Sequence, residues 1–280
     1  MPSGPLIPSP RGSAGFSLTE ICRKRYDFFT ISYGGRGVVS ESNRISNGDG
    51  RDKRSVCFLI PALNEEKAVG PTIDLIRGIQ PRMPYEIIIV DGGSTDRTVE
   101  VAVERGATVI VSPRGYGRQY QFVLDRLAHD FVITGDADAT YPFPLAYRYL
   151  EEHLIRGGYE FLSTNRFADP EACPMSADHC WGNRFLTFLT NALFGLHLRD
   201  SQSGMWIFRL DSYRKLRVLN PDMAFSEEIK IEAFRKLARV KELPITYHER
   251  IGTSKLNYGH AVKNTVFLFR KALKRMPRVD

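Results

Sequence analysis

The strongest constraint on the fold of this 280-residue sequence is a regular alternation of short apolar runs with helical segments. The runs at 56–60, 85–90, 107–111 and 131–134 have the composition of strands that are buried on both faces. Helical spacing of apolar residues fills 65–79, 94–106 and 119–128. Strands that alternate with helices in this way form a parallel sheet covered on both faces. The sequence therefore predicts an α/β, Rossmann-like fold with a mostly parallel central sheet and helices on both faces.

The second half of the chain has a more mixed pattern. We predict strands at 161–163, 204–208 and 240–247, a loop at 168–180, and helices at 146–155, 181–194, 227–237 and 261–275. The helix at 181–194 is apolar almost all round, so it is either a core helix or a helix that lies on a membrane. The helix at 261–275 is amphipathic and basic. It either lies on an anionic membrane surface or docks on the domain with a solvated face.

The net charge of +7 is concentrated at the two ends of the chain. Residues 1–54 carry 9 Lys and Arg against 5 Asp and Glu, and residues 262–280 carry 6 against 1, which leaves −2 for the residues between. The residues between the two ends, with a net charge of −2, are not expected to bind nucleic acid. We predict that 1–54 is a basic extension, disordered or loosely attached, in which an apolar patch at 28–31 could dock. We predict a single domain at 55–260 and a basic amphipathic helix at 261–280, for which contact with a membrane surface and docking on the domain both stay open.

The cysteines and the hydropathy indicate where such a chain resides. Cys22, Cys57, Cys173 and Cys180 form no Cys-x-x-Cys pair, so we expect no structural zinc site and reduced thiols, as in the cytosol. No run approaches the roughly 18 apolar residues of a membrane-spanning helix, and the start of the chain lacks the apolar core of a signal peptide. We therefore expect a cytoplasmic protein that does not cross a membrane on its own.

Two carboxylates separated by one small residue follow the fourth predicted strand, in Asp136-Ala137-Asp138. Ligands of doubly covered sheets bind beyond the carboxyl ends of the strands. Magnesium is often held by one or two carboxylates together with substrate phosphates. The pair is therefore either a metal site or a solvated acidic turn.

A second polar turn, Asp91-Gly92-Gly93-Ser94-Thr95-Asp96, follows the second predicted strand. Its glycines would allow a ligand to approach the backbone closely, and Asp91 could accept hydrogen bonds from a base or a ribose. An ordinary strand-to-helix turn with a capping residue explains Ser94 to Asp96 but not Asp91. The segment has neither the P-loop pattern nor the dinucleotide-binding glycine spacing.

Taken together, these segments resemble the signatures of a known family. The first half contains Pro61-Ala62-Leu63-Asn64-Glu65-Glu66, Val90 to Asp96, and Gly135 to Asp138. The second half contains Thr164-Asn165-Arg166-Phe167, Asp200-Ser201-Gln202-Ser203-Gly204-Met205-Trp206 and Arg250-Ile251-Gly252-Thr253-Ser254-Lys255-Leu256. In this order the six segments resemble glycosyltransferase family 2, and within it the polyprenyl-phosphate hexose synthases. The resemblance covers about 55–260 and implies a fold of GT-A type.

The resemblance implies a role for each matching position. A nucleotide-diphosphate sugar would contact Pro61, Ala62, Leu63, Glu65, Asp91, Gly93, Asp136, Ala137, Asp138, Arg250 and Lys255. Mg²⁺ or Mn²⁺ would be held by Asp136, Asp138 and Thr140. The acceptor phosphate would contact Arg166, Arg184, Ser203, Ser254 and Lys255, and the catalytic residues would be Asp138, Asp200 and Arg250. Leu63 stands where these synthases usually carry an aromatic residue and Thr140 where they usually carry Gln, which weakens the case for GDP-mannose as the donor.

The implied function is inverting transfer of a hexose from a GDP- or UDP-sugar to a polyprenyl or dolichyl phosphate, by a protein bound peripherally to the cytoplasmic face of a membrane. A phosphate acceptor is already an anion and needs little help from a base, whereas a hydroxyl acceptor would need one, for which Asp200 is the candidate. Asp200 is otherwise a turn residue. The alternatives are a family 2 enzyme with a soluble or glycan hydroxyl acceptor, and a non-catalytic protein that binds a nucleotide sugar.

Overall fold

The computed structural model describes residues 30–31, 54–168, 174–252 and 258–274. Its strands are β1 (Thr30–Ile31), β2 (Val56–Ala62), β3 (Tyr85–Asp91), β4 (Thr108–Val111), β5 (Phe131–Thr134), β6 (Phe161–Asn165), β7 (Trp206–Arg209) and β8 (Val240–Pro244). They form one sheet in the order β1-β4-β3-β2-β5-β7-β6-β8.

The helices connect these strands and cover the sheet. They are α1 (Val69–Arg77), α2 (Thr98–Glu104), α3 (Tyr116–Leu124), α4 (Phe143–Tyr149), α5 (Ala177–Phe194), α6 (Leu210–Tyr213), α7 (Phe225–Lys236) and α8 (Tyr258–Leu273). A π-helix, Leu150–Arg156, continues α4.

The pairing of the strands brings the carboxyl ends of the parallel strands to one edge of the sheet. β2 runs parallel to β3 and β5, β3 to β4, and β6 to β8. β7 is antiparallel to both β5 and β6. Because β7 runs against its neighbours, its amino end lies beside the carboxyl ends of β2, β3, β5, β6 and β8. We call this the site edge. The predicted mostly parallel sheet is confirmed.

Alternation of side chains along the central strands builds two cores, one on each face of the sheet. Phe58 and Ile60 of β2 enter the core beneath α1, α2 and α4, whereas Cys57 and Leu59 enter the core beneath α3 and α7. A third, smaller cluster joins α5, α7 and α8 around Leu186, Phe194, Ile231 and Leu268. Burial of both faces explains why the sequence runs of these strands are continuously apolar.

Several element boundaries differ from the predicted ones. β2 continues through Pro61, which aligns with Val90 of β3, instead of ending at residue 60. α2 begins at Thr98 rather than at Ser94, because the polar side chains of 94–96 form loop contacts described below. α5 begins at Ala177, which shortens the predicted loop, and β8 ends at Pro244.

At the amino end, Thr30–Ile31 and Arg54 of the extension are described, and Thr30–Ile31 forms the edge strand β1 against β4. The rest of 1–53 lies outside the described residues. None of the helices in the described ranges is both long enough and apolar enough to cross a membrane. The helix predicted at 261–275 is present as α8.

Candidate active site

Two loops at the site edge, 62–66 after β2 and 91–98 after β3, are held together by hydrogen bonds. The backbone N–H of Asn64 donates to Ser94 Oγ at 2.9 Å, and the N–H of Thr95 donates to Asn64 Oδ1 at 2.7 Å. The N–H of Glu65 donates to Thr98 Oγ1 at 2.7 Å. Asn64 has φ 52°, a conformation that Asn tolerates better than most residues. These contacts fix the position of Glu65 relative to the 91–98 loop.

Asp91 closes the turn in which it lies. Its carboxylate accepts hydrogen bonds from the N–H of Gly93 at 2.9 Å and from the N–H of Ser94 at 3.0 Å, and the residue is 2% exposed. These hydrogen bonds give Asp91 a structural role in the turn, which the capping pattern of the sequence did not explain. Gly93 has φ 88°, and no heavy atom lies within 4 Å of the position that a Cβ would take. The turn therefore presents bare backbone to open space.

The two acidic side chains that follow β5 face a common region. Asp138 is 1% exposed and Asp136 is partly exposed. Asp138 Oδ1 accepts a hydrogen bond from Thr140 Oγ1 at 2.6 Å, and Asp136 Oδ1 accepts one from Tyr116 Oη at 3.4 Å. Burial and, next, the charge of Asp138 raise the pKa of Asp136 to about 7. The two carboxylates therefore repel each other across one site.

Arg250 supplies positive charge to this region from the other half of the chain. Its Nη1 lies 3.1 Å from Asp138 Oδ2 and its Nη2 lies 2.7 Å from Glu65 Oε1. The N–H of Ile251 donates to the carbonyl of Asp138 at 3.1 Å, which ties the loop after β8 to the acidic turn. The Nε of Arg250 is buried and has no hydrogen-bond partner among the described residues.

The acidic pair fits a metal ion that is shared with a ligand. Within the described residues, no group of three or more His, Cys, Asp and Glu side chains could hold a metal by itself. Magnesium and manganese are commonly held by one or two carboxylates, with phosphate oxygens and water completing the shell. Asp136 and Asp138 supply this donor set. Burial and the charge of Asp138 outweigh the charges of Arg250 and Arg166 in setting the pKa of Asp136, so a bound cation would favour the ionised form of this carboxylate.

Asp200 and Arg166 form a buried ion pair behind the acidic pair. Arg166 Nε lies 2.7 Å from Asp200 Oδ2 and Nη2 lies 3.0 Å from Oδ1, and the two residues are 7% and 0% exposed. Burial alone would raise the pKa of Asp200, but the Arg166 charge and hydrogen bonds hold it below its ordinary value. A carboxylate that is fully paired and closed to solvent is a poor proton acceptor. The structure therefore argues against Asp200 as a general base.

The predicted acceptor-side residues differ in accessibility. Arg184 is exposed on α5, and its Cζ lies 5.6 Å from the centre of the Phe167 ring, which Arg166 Cζ approaches to 5.7 Å. Ser203 is fully buried, with its hydroxyl 2.6 Å from Thr164 Oγ1, so a direct contact with an acceptor is not available to it. Ser254 and Lys255 lie outside the described residues.

The remaining predicted residues belong to the walls of the site. Pro61 and Ala62 are the last, buried residues of β2, and Leu63 is half-buried in the loop that follows. Ala137, between the two carboxylates, is 2% exposed and packs into the core beneath α1.

Several contributors were missed at the sequence level. Gln119 Nε2 donates to the carbonyls of Ala62 at 2.9 Å and Val90 at 2.6 Å, which bridges the ends of β2 and β3. Lys230 of α7 is fully buried, and its Nζ donates to the carbonyl of Asp200 at 3.1 Å. Tyr247 lies with its ring centre 5.3 Å from Arg166 Cζ. The sequence signal that could have identified Lys230 was the placement of a charged residue at a core position of the predicted helix 227–237.

Gly204 is required by the close approach of β7 to the acidic turn. A Cβ at this position would lie 2.7 Å from Tyr116 Oη and 3.3 Å from Asp136 Oδ1. Any side chain here would displace Asp136 or Tyr116, so the glycine keeps the site intact.

Comparison with known proteins places this geometry in a family. The model of glycosyl transferase family 2 matches residues 57–217. The low-salt glycan biosynthesis hexosyltransferase Agl6 of Haloferax volcanii is 33% identical over 208 residues, which cover 72% of this chain and 50% of Agl6. The dolichyl-phosphate hexose transferase of the same organism is 32% identical over 196 residues, which cover 69% of this chain and 83% of that protein. The chain thus spans half the length of Agl6.

The fold also matches a solved structure. Glucosyl-3-phosphoglycerate synthase from Mycobacterium tuberculosis, in complex with Mn²⁺, UDP-glucose and phosphoglyceric acid, superposes with a TM-score of 0.63 at 20% identity, over 81% of this chain and 82% of that one. This likeness confirms the expected fold of GT-A type. Because the family model covers more than half of the sequence and the dolichyl-phosphate hexose transferase matches over most of its length, the chain belongs to glycosyl transferase family 2.

Proposed function

We propose that this chain is a metal-dependent, inverting hexosyltransferase that uses a nucleotide-diphosphate sugar as donor and a polyprenyl or dolichyl phosphate as acceptor. The observation that carries the proposal is the convergence of Asp136, Asp138 and Arg250 at the site edge of a family 2 fold. Two carboxylates and one guanidinium suit a diphosphate that arrives with a divalent cation.

The donor would lie along the loops that follow β2 and β3. The open space over Gly93 admits a ligand against the backbone. Glu65, which the loop contacts hold in place, faces Arg250 at 2.7 Å. Pro61 to Leu63 and Asp91 would form the wall around the nucleotide, and Lys255 would add positive charge near the phosphates.

The departing diphosphate needs neutralisation of its negative charge. Asp136 and Asp138 would hold Mg²⁺ or Mn²⁺, which when bound supplies that neutralisation as a Lewis acid. The Thr140 hydroxyl orients Asp138 through its 2.6 Å hydrogen bond. Arg250, which contacts Asp138 and Glu65, would add positive charge beside the diphosphate.

The acceptor side favours a phosphate over a hydroxyl. Asp200, the candidate base for a hydroxyl acceptor, is closed off by Arg166. A phosphate acceptor is already anionic near neutral pH, so the protein needs only to position it for in-line attack. Arg184, exposed beside Phe167 and Arg166, is placed to contact it, and Ser254 and Lys255 stay predicted contacts. One displacement at the anomeric carbon inverts its configuration.

A lipid acceptor implies that the protein works at a membrane. Both basic ends of the chain suit an anionic surface. We therefore propose peripheral association with the cytoplasmic face of a membrane. The similarity to a protein named dolichyl-phosphate hexose transferase supports the acceptor class.

The decisive experiment is a transfer assay with radiolabelled GDP- and UDP-hexoses, Mn²⁺ or Mg²⁺, and polyprenyl phosphate in detergent. We expect label in the organic phase only with metal and lipid present. A parallel assay replaces the lipid with soluble sugars or glycans that offer a hydroxyl. Label that appears solely in these products would replace the proposal with the hydroxyl-acceptor alternative.

Binding of the donor can be measured without turnover. A thermal-shift series of GDP- and UDP-sugars, with and without Mn²⁺, should raise the melting temperature for the true donor, since a ligand at about 100 times its Kd stabilises the folded state by about 2.7 kcal/mol. A series in which no nucleotide sugar shifts the melting temperature would contradict the proposed donor class.

A further inference from the structure

Exposed apolar side chains are concentrated on two helices that pack against each other. Seven of the twelve large hydrophobic residues exposed within the described ranges lie on α5 and α8. On α5 they are Trp181, Phe185 and Phe188, which are 74%, 54% and 65% exposed. On α8 they are Val262, Val266, Phe269 and Leu273, which are 63%, 43%, 47% and 65% exposed. We call these seven residues the α5–α8 surface.

Each set forms one stripe along its helix. The spacing of three and four residues in both sets places their members on a single helical face. Isolated exposed hydrophobic residues are normal on a protein surface. Ordered stripes of them on adjacent helices indicate a surface that binds a partner or a membrane.

The opposite face of α8 is already used for docking on the domain. Leu268 is fully buried against α5 and α7, and Lys271 Nζ contacts Glu228 Oε1 at 2.7 Å and Glu232 Oε1 at 2.9 Å. Asn264 is 6% exposed. These contacts fix the orientation of α8 about its own axis. Its stripe of four apolar residues therefore points away from the domain. Phe267 and Leu268 both pack inward, against α5 and α7.

Charge identifies the occupant. The 16 residues of α8 include no Asp or Glu, and Lys263, Arg270 and Lys274 are exposed beside the apolar stripe. On α5, Arg184 lies among the exposed aromatic residues. The apolar stripe of α8, bordered by cations, matches the interface of an anionic bilayer. On α5 the exposed Asp178 lies in the first turn, three residues before Trp181, so the positive charge of the surface comes mainly from α8.

We propose that the α5–α8 surface docks this protein on an anionic lipid bilayer. The position of Arg184 beside Phe167 and Arg166 would place this membrane contact next to the acceptor side of the site. Only this link to the acceptor rests on the proposed function. Docking itself requires neither donor nor metal.

The test is flotation of the full 280-residue chain with vesicles of phosphatidylcholine that contain about one-third phosphatidylglycerol, compared with pure phosphatidylcholine. We expect binding to the anionic vesicles that weakens with salt. The triple variant Lys263→Gln, Arg270→Gln, Lys274→Gln should bind on the order of 100-fold more weakly. A control triple of exposed arginines elsewhere, Arg82→Gln, Arg148→Gln and Arg217→Gln, removes the same charge and should bind nearly as the parent does.

A second pair of variants isolates the apolar contribution. Phe188→Ser combined with Leu273→Ser should weaken binding at least about tenfold, whereas Leu75→Ser combined with Leu219→Ser, which alters exposed leucines on other elements, should not. Equal binding by both pairs, or no preference of the parent for anionic vesicles, would overturn the proposal. So would a dimer in sedimentation velocity that the Phe188→Ser and Leu273→Ser variant dissociates, because the surface would then join two copies.

Transfer to a short-chain, water-soluble polyprenyl phosphate separates the two proposals. Variants that lose vesicle binding but keep this transfer support the docking surface and show that the fold is intact. A parent protein that binds vesicles but transfers no hexose to any polyprenyl phosphate would contradict the proposed function and leave the docking surface standing.

Discussion

The two sides of the site edge are held in place by different kinds of interaction. On the side of β2 and β3, neighbouring loops are joined by hydrogen bonds between side chains and backbone, as between Asn64 and Thr95. On the side of β6 and β7, a buried ion pair between Arg166 and Asp200 holds the loops, with Lys230 behind it. The first arrangement uses short polar residues within contiguous motifs. The second brings together charges from three distant elements.

This difference teaches where each side is vulnerable. A hydrogen bond between a loop side chain and the backbone contributes about 1 kcal/mol, so the β2–β3 side should tolerate single changes. Removal of one partner from a buried ion pair leaves an uncompensated charge in the interior and is strongly destabilising. The acidic pair lies between the two sides, and its replacement should affect chemistry more than folding.

The largest expected effect is on activity, at the acidic pair. Asp138→Asn should lower kcat by about 1000-fold, because the variant loses one of two carboxylates for the metal and the partner of Arg250. Its unfolding midpoint should stay close to that of the parent, because Arg250 keeps its ion pair with Glu65 and the repulsion between the two carboxylates is removed. The measurements are hexose transfer and Mn²⁺ binding by electron paramagnetic resonance. Normal turnover in this variant would remove Asp138 from the proposed mechanism.

The largest expected effect on stability is at the buried pair. Asp200→Asn should lower the free energy of unfolding by about 3–5 kcal/mol, since Arg166 would keep its charge without a partner. The matched control is Asp211→Asn, which breaks an Arg–Asp pair with Arg214 whose side chains are 88% and 46% exposed and should cost about 0.5 kcal/mol or less. Urea unfolding measures both. Similar losses would show that burial does not distinguish the two pairs.

The dependence of stability on pH tests the same buried region. Burial raises the pKa of Glu227 from 4.5 to about 8, so the folded state holds this proton more tightly than the unfolded state does. The resulting stabilisation is present below pH 4.5 and is lost as the pH rises to 8. Glu227→Gln should remove this slope, which amounts to on the order of 5 kcal/mol across the window.

Lys230 makes stability change with pH in the opposite direction above about pH 7. It therefore limits the pH range over which the effect of Glu227 can be measured. Burial lowers its pKa to about 7, so above that pH the unfolded state binds more protons and stability rises with pH. The comparison of parent and Glu227→Gln by urea unfolding is therefore cleanest between pH 5 and 7. Parallel curves for the two proteins in this range would contradict a raised pKa at Glu227.

The smallest of the predicted changes to the site is at the β2–β3 side. Gly93→Ala and Gly195→Ala both place a Cβ at positive φ, 88° and 64°, with no atom within 4 Å, so each should cost about 1 kcal/mol. Only the Gly93 variant should raise the donor KM, by about tenfold, because only its Cβ would enter the space proposed for the donor. Equal KM values for the two variants would place the donor elsewhere.

The alternation of apolar runs was sufficient to predict the fold class and the position of the acidic pair. Both follow from local sequence, because a strand buried on two faces must be continuously apolar and its carboxyl end must face the ligand edge. The six segments also predicted which residues gather there, and Asp136, Asp138 and Arg250 do converge. The exact starts of α2 and α5 were wrong, since polar residues in a loop can serve tertiary contacts instead of a helix cap.

Only the tertiary structure decided how those residues are used. Asp200 is a plausible base in a sequence, but the packing of β6 against β7 buries it with Arg166 and removes it from that role. The outward face of α8 was likewise undetermined until Leu268 and Lys271 were seen docked on α5 and α7. The physical reason is the same in both cases. The charge and exposure of a side chain depend on neighbours that lie far away along the chain, and one sequence pattern fits several such environments.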